Sequence, residues 1–150
     1  MQSSPATLRR SRCEVWHVAR NAHDMANKST RERAAKDKRE GKSPSTQAGE
    51  FVREEIHHVR EGKHGARSAK QVIAIGLSKA RRAGVALPIP KGATSAVRRR
   101  AARDAEVART HHAPSRARSR ASRKALEHEG SAAASPTALS RHAHAVQRPK

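Results

Sequence analysis

The side chains able to do chemistry fall into two groups: histidines beside glutamates, and a much larger population of arginine and lysine. Ten histidines are present; His57, His58 and His64 crowd one stretch with Glu54, Glu55 and Glu61, and His111 and His112 stand together further on. Imidazoles near carboxylates are the material of a metal site or an acid–base pair. Neighbouring helical residues point about 100° apart, so His57 and His58 do not share an ion. No cysteine pair or pair of acids completes a tetrahedral shell by spacing. General acid–base catalysis needs a shielded pocket to shift pKa values. One Phe, one Trp and no Tyr are little material for building it. The glutamates therefore read as surface partners of Arg53 and Arg60. The chain also lacks a glycine-rich phosphate loop after a strand and a nucleophile elbow. The expectation is a non-enzyme with no catalytic residue, no cofactor and no metal.

The cations make the stronger case. Thirty-three Lys and Arg stand against 13 Asp and Glu, a net charge of +20. Half of that excess lies in residues 88–150. Such a chain favours a polyanion through counterion release, whatever its fold. Lys63, His64 and Arg67 lie on a short turn before a helix that begins near Ser68. The backbone amides of Ala69 and Lys70 point toward any phosphate held there, with the Lys70 ammonium beside them. Lys79, Arg81 and Arg82 mark the far end of that helix. Arg98, Arg99, Arg100 and Arg103, then Arg116, Arg118, Arg120, Arg123 and Lys124, read as phosphate binders without sequence preference. No aromatic residue accompanies them, so stacking on single strands is disfavoured and duplex DNA is the preferred partner. RNA, including the ribosome, is the alternative partner, and a protein-interaction adaptor is a third reading. A helix-turn-helix reader fits less well, because Val72, Ile73, Ile75 and Leu77 leave the second helix few side chains for base edges.

The elements that must position these groups divide the chain into four parts. Residues 1–24 hold Cys13 and Trp16, and Met25 reads as the natural start, making 1–24 an upstream, disordered extension. A single cysteine excludes a disulfide framework and fits a reducing cytoplasm. No apolar run approaches the roughly 18 residues of a membrane span, so no membrane partner is expected. Residues 25–42 form a basic arm in which 29–41 is a solvated, frayed helix, since only alanines punctuate it.

Residues 43–87 form a helical hairpin. Ser43 caps the first helix and Pro44 fills its first position. Ala48, Val52, Ile56 and Val59 share a face with Phe51 beside it. Gly62 ends that helix and Gly65 lets the chain reverse. Ser68 with Gln71 is a capping box for the second helix, whose stripe is Val72, Ile73, Gly76, Leu77 and Ala80, and Gly84 stops it. Two helices bury one side each, so the hairpin is marginal alone, and pairing through its apolar face with a second copy, as a homodimer, or with another partner is the natural remedy. Residues 88–150 are an Arg/Ala/Ser-rich arm beginning with the stiff Pro88-Ile89-Pro90 linker. It holds segments at 95–110, 119–129 and from Ser135 that turn helical on contact with an anion. The fold expected is all-α: a single helical hairpin with largely disordered, conditionally helical basic arms.

Within Gly49–Val85, Ser68, Lys70, Gln71, Ile73, Ala74, Ile75, Leu77, Ser78 and Ala80 match the pattern S-x-K-Q-x-I-A-I-x-L-S-x-A. On these residues the segment resembles an uncharacterised family of small basic bacterial proteins. The opening from Met25 is also similar to a start of that family. The resemblance implies no activity and brings no catalytic residues. The basic Ala/Arg/Ser/Pro tail looks like linker-histone tails by composition.

Overall fold

The computed structural model describes residues 27–110 and 115–147. Expectations for residues 1–24 and Met25 lie outside the described residues. Within them every regular element is helical: α1 (Lys28–Arg39), α2 (Pro44–Arg60), α3 (Ala69–Arg82), α4 (Ser95–Thr110), α5 (Arg116–Glu127), a 3-10 turn (Ala132–Ala134) and α6 (Pro136–Gln147). The all-α class stands. A single hairpin does not, because six α-helices are present among the described residues and both arms pack against α2 and α3.

The hairpin forms where local chemistry dictates. The Ser43 hydroxyl accepts from the Thr46 amide with Pro44 at the first helical position, and the Ser68 hydroxyl accepts from the Gln71 amide. Gln71 Oε1 accepts from the Arg67 amide at 3.0 Å, one residue before the position an ordinary capping box would use. Helix α2 ends in a Schellman closure at Gly62 (φ 70°), with the Lys63 amide on the His58 carbonyl at 3.0 Å. Helices α2 and α3 touch at Gly76, where a Cβ would come within 2.7 Å of the Val52 Cα.

Two apolar clusters flank this contact, and an arm covers each. Phe51, Ala48, Ala80 and Val85 pack with Ala34 of α1, with Leu77 and Leu87 alongside. Val59, Ala66 and Val72 pack with Ala133 and Ala134 of the 3-10 turn, joined by Ile56. Part of the cover that sequence alone assigned to a second copy or a partner thus comes from the same chain.

Helix α1 is docked, not solvated and frayed: Thr30, Ala34 and Asp37 are buried. Small side chains let its backbone lie close to α2, and polar bonds replace the missing apolar stripe. Arg33 bonds Glu50, the Asn27 amide donates to Glu54 Oε1 at 2.8 Å, and Gln47 Nε2 donates to the Lys42 carbonyl at 2.8 Å.

The C-terminal arm is likewise attached. Ala101 and Asp104 of α4 are buried toward α3, where Ser78 donates to Asp104 at 2.6 Å and Arg82 Nε at 3.1 Å. The Gly65 amide donates to the Leu126 carbonyl at 2.9 Å and the Ala66 amide to the Gly130 carbonyl at 3.0 Å. Gly65 does not serve chain reversal, since its φ is not in the left-handed region. It is glycine because a Cβ would lie 1.7 Å from the Glu129 carbonyl oxygen.

Candidate nucleic-acid interface

The outward cations sit where helical spacing and burial leave them. In α4 the inward side carries Ala101 and Asp104, so Arg99 and Arg103, four residues apart, face solvent with Arg100 at their flank. Arg98 is exposed but folds back onto its own loop, with Nε on the Ala93 carbonyl and a terminal nitrogen on the Lys91 carbonyl, both at 3.1 Å. In α5, Ser119 and Arg123 are half-buried, leaving Arg116, Arg120 and Lys124 as an exposed row with Arg118 beside it. None of Arg98, Arg99, Arg100, Arg103, Arg116, Arg118, Arg120 or Lys124 has an acidic partner among the described residues.

Three of the four acids of this arm are occupied elsewhere, and the fourth, Glu127, is exposed on α5. Asp104 is buried against α3, Glu106 pairs with Arg109, and Glu129 holds Arg67 at 3.1 Å. Each paired acid leaves the remaining guanidinium groups less compensated. The arm's surface is consequently more positive than its composition, an arrangement suited to a phosphate backbone.

Around the hairpin turn the structure divides the expected set. Arg67 remains 82% exposed despite its bond to Glu129, and Lys63 is exposed beside Glu61 at 2.8 Å. Lys70 is exposed on α3. The Ser68 and Gln71 side chains already occupy the mouth of α3. Arg82 is spent on Asp104, and Arg81 is half-buried beside Leu77, Leu87 and Ile89. Lys79 and His64 are corrections. Lys79 is only 7% exposed, with its ammonium 2.6 Å from Glu55 Oε1, and the buried His64 has Nε2 3.4 Å from Glu55 Oε2. Neither is presented to a phosphate.

Glu54 and Glu55 are a second correction, for they do not pair with Arg53 and Arg60 on the surface. Arg53 binds Glu50, and Arg60 donates to the Ala134 carbonyl at 2.8 Å. Glu55 is fully buried in the row Ala48, Phe51, Glu55, Val59, with His58 on the adjoining face. Burial alone would raise the Glu55 carboxyl, but the His58 and His64 imidazoles and the Lys79 ammonium outweigh it and hold it far below the usual range. The Glu55 carboxylate raises His64 above an ordinary imidazole against the opposing effect of burial. A search for apolar periodicity passes over this cluster. The signal that could have found it is the helical spacing of Glu55 from Phe51 and Val59, which puts a carboxylate on the core face.

No protein-family model, curated protein or solved structure matches the chain. Among the described residues no helix is long and apolar enough to cross a membrane.

Proposed function

We propose that this chain is a non-enzymatic protein that binds duplex DNA without sequence preference, of the kind that coats a bacterial nucleoid. One observation carries the reading: Asp104, Glu106 and Glu129, three of the four acids of the C-terminal arm, are paired or turned inward, while Arg99, Arg100, Arg103, Arg116, Arg118, Arg120 and Lys124 are exposed without acidic partners among the described residues. Phosphate contacts need neither a pocket nor a fixed register, and a stripe of guanidinium groups at helical spacing supplies them. Arg67, Lys63 and Lys70 extend the same surface chemistry at the hairpin turn.

Titration against duplexes of unrelated sequence at several salt concentrations tests the reading. The log–log slope is expected to be steep, about 0.9 per phosphate neutralised, and equal for all sequences. Replacing Arg98, Arg99 and Arg100 together by alanine should lower that slope by roughly two to three units. A shallow slope that the triple change leaves alone would remove the proposal. Competition with structured RNA at matched salt decides the polyanion, and a large RNA preference replaces the duplex assignment by an RNA one.

A further inference from the structure

Phosphate binding as read above uses α4, α5 and the hairpin turn, and leaves the cations of α1 without a role. In the row of helices α1 packs on α2, α2 on α3 and α3 on α4, while α1 and α4 make no contact. They are the two edges of that row. Each edge turns small or polar residues inward: Thr30, Ala34 and Asp37 on α1, Ala101 and Asp104 on α4. Helical spacing then fixes what faces out. On α4 that face carries Arg99 and Arg103. On α1 it centres on the exposed Ala35, with Lys28 seven residues before it, Arg31 four before, Lys38 three after and Arg39 four after, all exposed. The acids of this segment do little to cancel them. Asp37 is turned inward and held by Lys42 at 2.8 Å, and Glu40 is shared by Lys36 and Lys42. Glu32 stays on the outer side, 3.9 Å from Lys28. Lys38 and Arg39 have no acidic partner among the described residues.

We propose that the outer face of α1 is a second phosphate-binding surface, through which one copy of this chain holds a second DNA duplex beside the first. The proposal rests on the duplex-binding reading above and adds bridging to it. Packed helix axes lie about 8–10 Å apart, so three such steps along the row separate the axes of α1 and α4 by roughly 25–30 Å. That is about three Debye lengths at physiological salt, and each edge attracts a polyanion independently of the other. A duplex has a persistence length of about 150 bp and does not fold round so small a body to reach both edges. The docking of α1 is what separates the two surfaces. Ala34 in the apolar cluster and Arg33 on Glu50 hold the helix against α2, so its cations cannot swing across to the duplex that α4 engages.

The test uses the full chain, one duplex fixed to beads and a labelled second duplex of unrelated sequence. Protein retained on the beads reports the first contact, and label retained with it reports the second. The unaltered chain should capture the label, and capture should fall again at excess protein, when every duplex carries its own copies. The combined Lys38→Glu and Arg39→Glu variant should hold the first duplex within about threefold and lose capture by about tenfold, with its melting temperature unchanged. The neutral pair Lys38→Gln and Arg39→Gln should capture at an intermediate level. Protein that stays on the beads without label overturns bridging and leaves the duplex-binding reading standing. Protein that the beads fail to retain overturns both. Capture that survives the charge reversal seats the second duplex elsewhere, as on another copy of the chain, and overturns the α1 surface.

Discussion

The interior at Glu55 and the outer faces of α4 and α5 handle charge in opposite ways. Inside, a carboxylate with no solvent contact is met by Lys79 and flanked by His58 and His64. Outside, Arg99, Arg103, Arg116 and Arg120 stand exposed with no acid beside them among the described residues. The difference teaches where a charge is structural and where it is free for a partner. Desolvation makes every buried charge dependent on its counter-charge. Water and salt make a surface cation almost indifferent to its neighbours, so an excess can accumulate at little cost to folding.

The sharpest way to break that contrast is to remove the interior carboxylate. Glu55→Leu leaves the Lys79 ammonium buried without its partner and should cost about 3–5 kcal/mol in denaturant unfolding. The double change Glu55→Leu with Lys79→Met should recover most of it, since replacing both partners by apolar groups removes the orphan charge. A loss near zero for Glu55→Leu would mean that the interior is no different from the surface.

A smaller effect is expected at the seam between hairpin and C-terminal arm. Gly65→Ala drives a methyl into the Glu129 carbonyl and should cost about 1–3 kcal/mol. Hydrogen exchange should localise the opening to residues 126–134. Next comes Ser68→Ala, which removes the hydroxyl from the Gln71 amide and should cost about 1 kcal/mol by thermal unfolding. At the bottom of the scale, the triple change of Arg98, Arg99 and Arg100 to alanine should shift stability by no more than about 0.5 kcal/mol while weakening duplex binding. A larger loss would show that these arginines support the fold and would blur the contrast from the other side.

The hairpin was legible because its signals are local. Ser43-Pro44, Gly62, Ser68 with Gln71 and Gly84 each state a boundary within a few residues, and the structure uses every one of them. The docking of the arms was not legible, for two reasons. Helix α1 is held by Ala34 and by polar bonds such as Arg33 to Glu50, and a stripe of large apolar residues is not how such contacts announce themselves. Ala133 and Ala134 cover Val59 and Val72 from more than 60 positions away, and composition says nothing about so long a closure. The interior cluster escaped for a related cause. Glu55 occupies a core position at helical spacing, but a tally of apolar residues skips a glutamate. The same tally assigned Lys79 to the surface, although its four-carbon stem lets the ammonium reach inward to that carboxylate.

The bonds from Gly65, Ala66 and Arg60 to Leu126, Gly130 and Ala134 carry a consequence for synthesis. A nascent chain that has reached Arg82 already owns both helices of the hairpin, yet nothing it contains can shield Val59 and Val72 from the C-terminal side. Roughly 50 more residues must leave the peptidyl transferase centre first, a wait of several seconds at typical elongation speeds. Completion of the interior therefore lags well behind synthesis of the hairpin, and until then its exposed valines are in the care of whatever attends the ribosome exit.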